Sequence, residues 1–157
     1  MCGIFGRVGV PLDYEWDRIF LEWCGRKIQR RGNHAAGFAF IDDKGDIRIR
    51  KAAIPMRHFL LSRLYSREYL KESCAVIGHT RYGTCSNDRD DKAAHPFRDG
   101  PVVGVHNGQI WNWKTLEPRK IWWKVDSQAI FHQVAINRPE DIDLSPLRGT
   151  VSTAWFD

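Results

Sequence analysis

The sequence predicts an α+β domain built of layered sheets, with helices lying between groups of strands. Three observations carry that expectation. Short apolar runs of β-type composition recur along the chain and are bounded by glycine, asparagine and aspartate turn signals. Longer stretches at 14–30, 58–72 and 126–136 read as helices, so strands outnumber helices. The 157 residues are 43% hydrophobic and 27% charged, which is enough for one domain with a real core and too well mixed for disorder.

Residues 2–10 are short, apolar and glycine-punctuated, and read as a strand. Pro11-Leu12-Asp13 then turns into a helix, with Asp13 as its N-cap. From Tyr14 to Arg30, the residues Trp16, Ile19, Phe20, Trp23, Lys27 and Ile28 keep mostly 3–4 spacing, the apolar stripe of an amphipathic helix that Gly32 is placed to end. Ala35–Asp42 is a strand, Asp43-Lys44-Gly45 a hairpin turn, and Asp46–Lys51 its antiparallel partner. His58–Glu72 reads as one helix and Cys74–Ile77 as a third apolar strand. Asn87–Ala94 is a polar, mobile loop, and Val102–His106 a buried strand that ends at Asn107-Gly108. Residues 109–124 hold four of the seven tryptophans and a short helix near Asn112–Glu117. Asp126 caps a helix to about Ile136, Asn137–Pro146 is a loop, and Val151–Phe156 is a closing strand.

No apolar run approaches the ~20 residues of a membrane span, and no signal segment precedes Cys2, so a cytoplasmic protein is expected. The four cysteines, Cys2, Cys24, Cys74 and Cys85, show no disulfide-scaffold spacing. Cys74, His79, Cys85 and His95 lie close in sequence but lack paired zinc-ligand spacing, so no metal and no cofactor is expected. The net charge of +5 allows nucleic-acid contact, but the arginines are scattered and no nucleic-acid-binding signature is present.

A cysteine directly after the initiator methionine is the most chemically suggestive feature. Removal of Met1 would leave a thiol and a free α-amine on one residue, a nucleophile tethered to a weak base of pKa about 7.7–8.0. Other segments supply what amide cleavage needs. Asn107 has a side-chain NH2 and Gly108 a backbone N–H that can approach an oxyanion closely. Arg81 can grip a carboxylate bidentately, and Asp126 can accept an ammonium group. Amide, carboxylate and ammonium together describe an amino acid such as glutamine. Each residue has a plainer reading: Asn-Gly is a common turn, Arg81 a surface cation, Asp126 an N-cap. His79, His95 and His106 read as satisfied structural histidines, and Tyr82, Trp111 and Trp113 as packing residues.

The set resembles the glutaminase domain of class II glutamine amidotransferases, the N-terminal-nucleophile type. Cys2-Gly3-Ile4-Phe5-Gly6 matches the family's opening. Arg31-Gly32-Asn33-His34-Ala35-Ala36-Gly37 matches its Arg-Gly-x-Asp-Ser-x-Gly in part, and Gly78-His79-Thr80-Arg81-Tyr82-Gly83-Thr84 its Gly-His-Thr-Arg-Trp-Ala-Thr. His95-Pro96, His106–Ile110 and Val125-Asp126-Ser127-Gln128 follow in the family's order, and Gly149–Asp157 resembles a family strand. His34 and Ala35 stand where the family has Asp and Ser.

The resemblance implies a four-layer αββα sandwich. It implies Cys2 as nucleophile with its own amine as base, and Asn107 and Gly108 as the oxyanion hole. Arg81 would hold the glutamine carboxylate and Asp126 its ammonium, with Tyr82, Gly83 and Thr84 lining the pocket. It further implies one minimal or incomplete glutaminase domain over residues 1–157, without a synthase domain, passing ammonia to a separate synthase subunit. A non-catalytic glutamine- or partner-binding module on the same fold is the alternative.

Overall fold

The computed structural model describes residues 2–9, 13–83, 90–117, 120, 122–137 and 141–157. In chain order the elements are β1 (Gly3–Val8), α1 (Tyr14–Ile28), β2 (Ala35–Asp42), β3 (Ile47–Ala52), α2 (Met56–Phe59), α3 (Arg67–Glu72) and β4 (Ser73–Arg81). Then come β5 (Phe97–Asp99), β6 (Val102–Ile110), α4 (Trp113–Leu116), α5 (Ser127–Ile136) and β7 (Gly149–Phe156). One sheet has the order β1-β4-β2-β3 and the other β5-β6-β7, every neighbouring pair antiparallel. Helices α1, α2 and α3 pack on the first sheet, β6 crosses β1 and β4, and α5 covers β5 and β6. The stacking is therefore helix, sheet, sheet, helix, as expected.

β2 and β4 are the central strands of the first sheet and are buried on both faces; β2 is a nearly unbroken apolar run, whereas β4 extends past the expected Cys74–Ile77 to Arg81 and buries His79, Thr80 and Arg81. Strand alternation sends Phe38, Phe40 and Val76 toward the helices, where they join Leu21, Met56, Phe59, Tyr65 and Leu70 in one core. The Phe38 ring centre lies 5.4–5.8 Å from those of Phe5, Phe40, Phe59 and Tyr65. A fully buried phenylalanine of this kind contributes about 1.5–3 kcal/mol through the water it sheds. The second core, Val102, Ile110, Ile130, Phe131 and Val134, lies between β6 and α5. Arg7 ties three elements together: its guanidinium bonds Asp17 of α1 at 2.9 Å and the Leu70 and Ser73 carbonyls at the end of α3.

Several elements depart from the sequence-based expectation. The stretch at 58–72 is two short helices, not one. Ser62 Oγ donates to the Phe59 carbonyl and accepts the Leu64 N–H, and Ser66 caps α3, so side chains take over backbone bonds a continuous helix would need. The stripe of α1 faces outward: Leu21 and Gly25 are its buried residues, whereas Trp16, Ile19, Phe20 and Trp23 are exposed. Asp13 is the N-cap, accepting from the Glu15 and Trp16 N–H groups. Gly32 follows a 3₁₀ turn, Gln29–Arg31, with extended backbone rather than a left-handed cap. Its role is close approach, since a Cβ there would lie 2.4 Å from the Arg81 carbonyl carbon.

β6 does not end at Asn107-Gly108. It runs on to Ile110 because β7 pairs with it there, Asn107 opposite Ser152 and Ile110 opposite Gly149. β5 is a three-residue strand that the pattern of residues did not mark. Within the expected loop at 87–94, Asp91–Ala93 is a capped 3₁₀ turn, and 87–89 lie outside the described residues. Trp111 is exposed rather than packed, while Trp113 packs against the second core. Among the described residues no helix is long and apolar enough to cross a membrane.

Candidate active site

Cys2 precedes the edge strand β1, whose register pairs Gly3 with Thr80 and so brings Cys2 to the end of β4. There the Tyr82 N–H points at Cys2 Sγ at 3.4 Å, and the thiol faces the Tyr82 carbonyl oxygen at 3.7 Å. The Cys2 backbone N–H donates to Asn107 Oδ1 at 3.2 Å, and Arg31 Nε donates to the Cys2 carbonyl at 2.8 Å. Burial pushes the Cys2 thiol above its ordinary pKa. The Tyr82 backbone bond and the Arg81 guanidinium oppose that rise, and the Asp126 carboxylate adds to it.

Alternation along β6 explains why Asn107 can reach Cys2. Val102 and Ile110 face α5, so the odd-numbered Val103, Val105 and Asn107 face the first sheet. Gly108 has φ +156°, and a Cβ on it would stand 2.0 Å from the Thr150 carbonyl oxygen. Only glycine fits. Asp126 is buried and accepts the Ile110 N–H at 2.7 Å and the Ser127 N–H at 3.0 Å, so it caps α5 and ties it to β6. Cys2, Arg81, Tyr82, His95, His106, Gly108, Val125, Asp126 and Ser127 enclose a cavity of about 20 Å³. A cavity of about 610 Å³ lies elsewhere, between β1, β4 and β7; its lining, Ile4 to Val8, Val76, Ile77 and Thr153 to Phe156, includes none of these residues.

Behind Cys2 the two sheets are joined by a buried imidazole network whose proton positions follow from its acceptors. His106 Nε2 lies 3.2 Å from the Thr150 carbonyl, which can only accept, so Nε2 carries the proton and Nδ1 does not. Ser127 Oγ, 3.0 Å from that Nδ1, therefore donates to it and accepts from His95 Nε2 at 2.9 Å. His79 Nε2 donates to the His106 carbonyl at 3.0 Å, and its ring lies 4.0 Å from that of His95. All three imidazoles are neutral. Burial lowers His79 to about 3, His95 well below the usual histidine range, and His106 less far because the Thr150 carbonyl and Asp126 favour its charged form. Lys51 holds the His95 segment, donating to the Ala94 and Pro96 carbonyls at 2.7 and 3.0 Å, and burial lowers it to about 8.

Of the residues singled out in the sequence, Cys2, Arg81, Tyr82, Gly108 and Asp126 share one cavity, and Asn107 joins it through Cys2. Gly83 is adjacent, and Thr84 lies outside the described residues. The histidines are buried; His106 is satisfied at both ring nitrogens, whereas His79 and His95 are half-satisfied, their Nδ1 atoms having no hydrogen-bond partner among the described residues. In the sequence His34 stands out only as a departure from the family pattern. Its Nδ1 accepts the Gly83 N–H at 2.9 Å and its ring stacks on Tyr82 at 4.7 Å, so it braces the segment against which Cys2 Sγ rests. Ser127 and Arg31 were legible only as members of motifs; their bonds to His106 and Cys2 span 21 and 29 residues.

No family model matches the chain. Individual proteins do. The chain is 32% identical over 147 residues to a glutamine–fructose-6-phosphate aminotransferase of Gluconobacter oxydans, covering 85% of this chain and 22% of that protein. It is 36% identical over 122 residues to the enzyme of the same name from Corynebacterium diphtheriae, 74% of this chain and 19% of that one. An amidophosphoribosyltransferase of Pasteurella multocida is 30% identical over 125 residues, 76% of this chain and 23% of its own length. The chain belongs to the class II glutamine amidotransferases. Among solved structures, this amidotransferase domain shares its fold with an allosteric regulatory enzyme of purine biosynthesis, at TM-score 0.70, 19% identity, and 98% and 35% coverage of the two chains. A glutamine phosphoribosylpyrophosphate amidotransferase from B. subtilis gives TM-score 0.68 at 19% identity, covering 98% of this chain and 34% of that one. The domain spans about a fifth of the length of the curated relatives it matches.

Proposed function

We propose that this domain hydrolyses the side-chain amide of glutamine through a Cys2 thioester and releases ammonia for an acceptor on a separate protein. The observation that carries this reading is the convergence of Cys2, Arg81, Gly108 and Asp126 on one cavity, with Asn107 bonded to the nitrogen of Cys2. With Met1 removed, that nitrogen is the α-amine. The raised thiol pKa keeps Sγ protonated at rest, so a base is required, and an amine of pKa about 7.7–8.0 suits neutral pH.

The amine takes the Sγ proton as sulfur attacks the amide carbon. The oxyanion is met by Asn107 Nδ2 and the Gly108 N–H; because Asn107 Oδ1 is engaged by Cys2, Nδ2 is the end offered to substrate. Collapse passes the proton to nitrogen and expels ammonia. Water then attacks the thioester, releasing glutamate and restoring the thiol. Arg81 pairs with the α-carboxylate, and Asp126 accepts the α-ammonium through lone pairs its two backbone partners leave over. Tyr82 lines the cavity, with Gly83 beside it.

A cavity of about 20 Å³ has room for about one water, so glutamine entry requires its lining to open. That tightness is what favours the second reading, a non-catalytic glutamine- or partner-binding module. Intact mass combined with labelling by a glutamine-like diazoketone separates them. The expected result is a chain lacking Met1 with one adduct on Cys2, blocked by glutamine, and no glutamate release by Cys2→Ala. Retained Met1, or labelling that glutamine does not block, overturns the catalytic assignment.

A further inference from the structure

We propose that α1 is a docking surface for a second copy of this chain, the two helices packing antiparallel about a two-fold axis near Phe20 and Trp23. This rests on the surface of α1 alone and stands apart from the glutaminase reading. Trp16, Ile19, Phe20, Trp23 and Lys27 fall at 3–4 spacing on one face of α1. The four apolar residues are 70%, 45%, 53% and 57% exposed, while the opposite face supplies Leu21 and Gly25 to the core. A contiguous stripe of three bulky aromatics and an isoleucine is the kind of surface that monomeric proteins seldom leave bare.

The charges that frame the stripe select its occupant. Glu15 stands exposed in the first turn, where it and Glu22 share Arg18 and the three together keep a net negative charge, and Arg26 and Lys27 stand exposed in the last, with Arg30 just beyond. A matching surface must be apolar in the middle, basic where it meets the first turn and acidic where it meets the last. α1 turned end for end has that order. A parallel copy would set like charge against like, and a uniformly acidic partner would meet Glu15 with repulsion. In the antiparallel pair Phe20 packs on Trp23 of the second copy, Trp16 lies under the second copy's Lys27, and Glu15 faces its Arg26. Lys27 Nζ already lies 5.8 Å from the Trp23 ring centre within the helix, so the cation–aromatic contact is within its reach. A two-fold contact satisfies both copies with one patch. From Trp16 to Lys27 the stripe is only about 16 Å long. An interface of that length falls below the standard class of about 1,200 Å², so a reversible dimer with a dissociation constant of order tens of micromolar is expected.

Sedimentation equilibrium of the whole chain from about 5 to about 500 µM tests this. The expected result is a mass that climbs from monomer toward dimer across that range. Phe20→Glu and Trp23→Glu should each raise the dissociation constant at least about tenfold, with the melting temperature unchanged. Glu15→Arg and Arg26→Glu should each weaken the dimer about threefold, and the double swap should restore it, because each new charge meets its new opposite on the other copy. A monomer mass at every concentration overturns the proposal, as does association that Phe20→Glu and Trp23→Glu leave unaltered. A double swap that fails to restore the dimer overturns the antiparallel pairing.

Discussion

The space between the two sheets has two ends built on opposite principles. At the Cys2 end, inward-facing positions carry His79, Arg81 and Asn107, and the sheets are stitched by hydrogen bonds such as His79 to the His106 carbonyl and the Cys2 N–H to Asn107. Little empty space remains, about 20 Å³. At the β1–β7 end, the inward positions are the apolar Ile4, Ile77 and Ala154, no side-chain hydrogen bond joins the sheets there among the described residues, and the cavity is about 610 Å³. The larger cavity is thus where chemistry is absent. Size follows from packing that no polar pair enforces, whereas a site needs groups held at bonding distance, which closes the space around them.

The sharpest way to break this contrast is to cut one stitch at the polar end. Asn107→Ala is expected to lower kcat for glutamate release by about 10²–10³-fold, the loss typical of one oxyanion donor. Phe156→Ala at the apolar end should leave kcat within about twofold. Comparable losses from both would mean that the ends differ in packing only.

Acid sharpens it next. His79, His95 and His106 are held neutral by burial, while in the unfolded chain they take up protons near pH 6.5. The unfolded state therefore binds more protons below that pH. Stability is complete above about pH 6.5 and falls as pH drops toward the folded-state values, by up to about 1.4 kcal/mol per pH unit for each histidine. Denaturant titrations between about pH 7.5 and 5 measure the slope. His95→Gln keeps a donor toward Ser127 but cannot charge, and should remove about a third of it. An unchanged slope would place the acid sensitivity outside this network.

The smallest effect concerns His34. His34→Ala removes the acceptor for the Gly83 N–H and the ring beneath Tyr82, worth about 1 kcal/mol or a few-fold in KM. His34→Asn puts Oδ1 close to the lost Nδ1 and should recover most of that loss. His34→Gln, whose carbonyl reaches further, should not.

The sheet strands other than β5, Asp13 as a cap, and Cys2, Arg81, Asn107, Gly108 and Asp126 as candidates were legible in the sequence, because alternation, capping and short motifs are local rules. The apolar runs at 35–42 and 74–77 marked the cores of β2 and β4. What stayed illegible depended on partners distant in sequence. Asn107-Gly108 has turn chemistry, yet β7, more than 40 residues on, holds it in a strand. The 58–72 stretch has helical spacing, yet Ser62 and Ser66 divide it through bonds that spacing cannot register.

The sequence by itself determined which residues could do chemistry and which face of each strand they share, since side-chain type and a period of two are written in the chain. Only the tertiary structure decided which face of α1 meets the core, because the stripe of Trp16, Phe20 and Trp23 is more apolar than the face around Leu21 and Gly25 that is buried instead. Close approach of α1 to Phe5 and Met56 requires a small residue such as Gly25. Shape complementarity with a neighbour, and not apolar content, selected the buried face, and no rule of spacing can read a neighbour's shape.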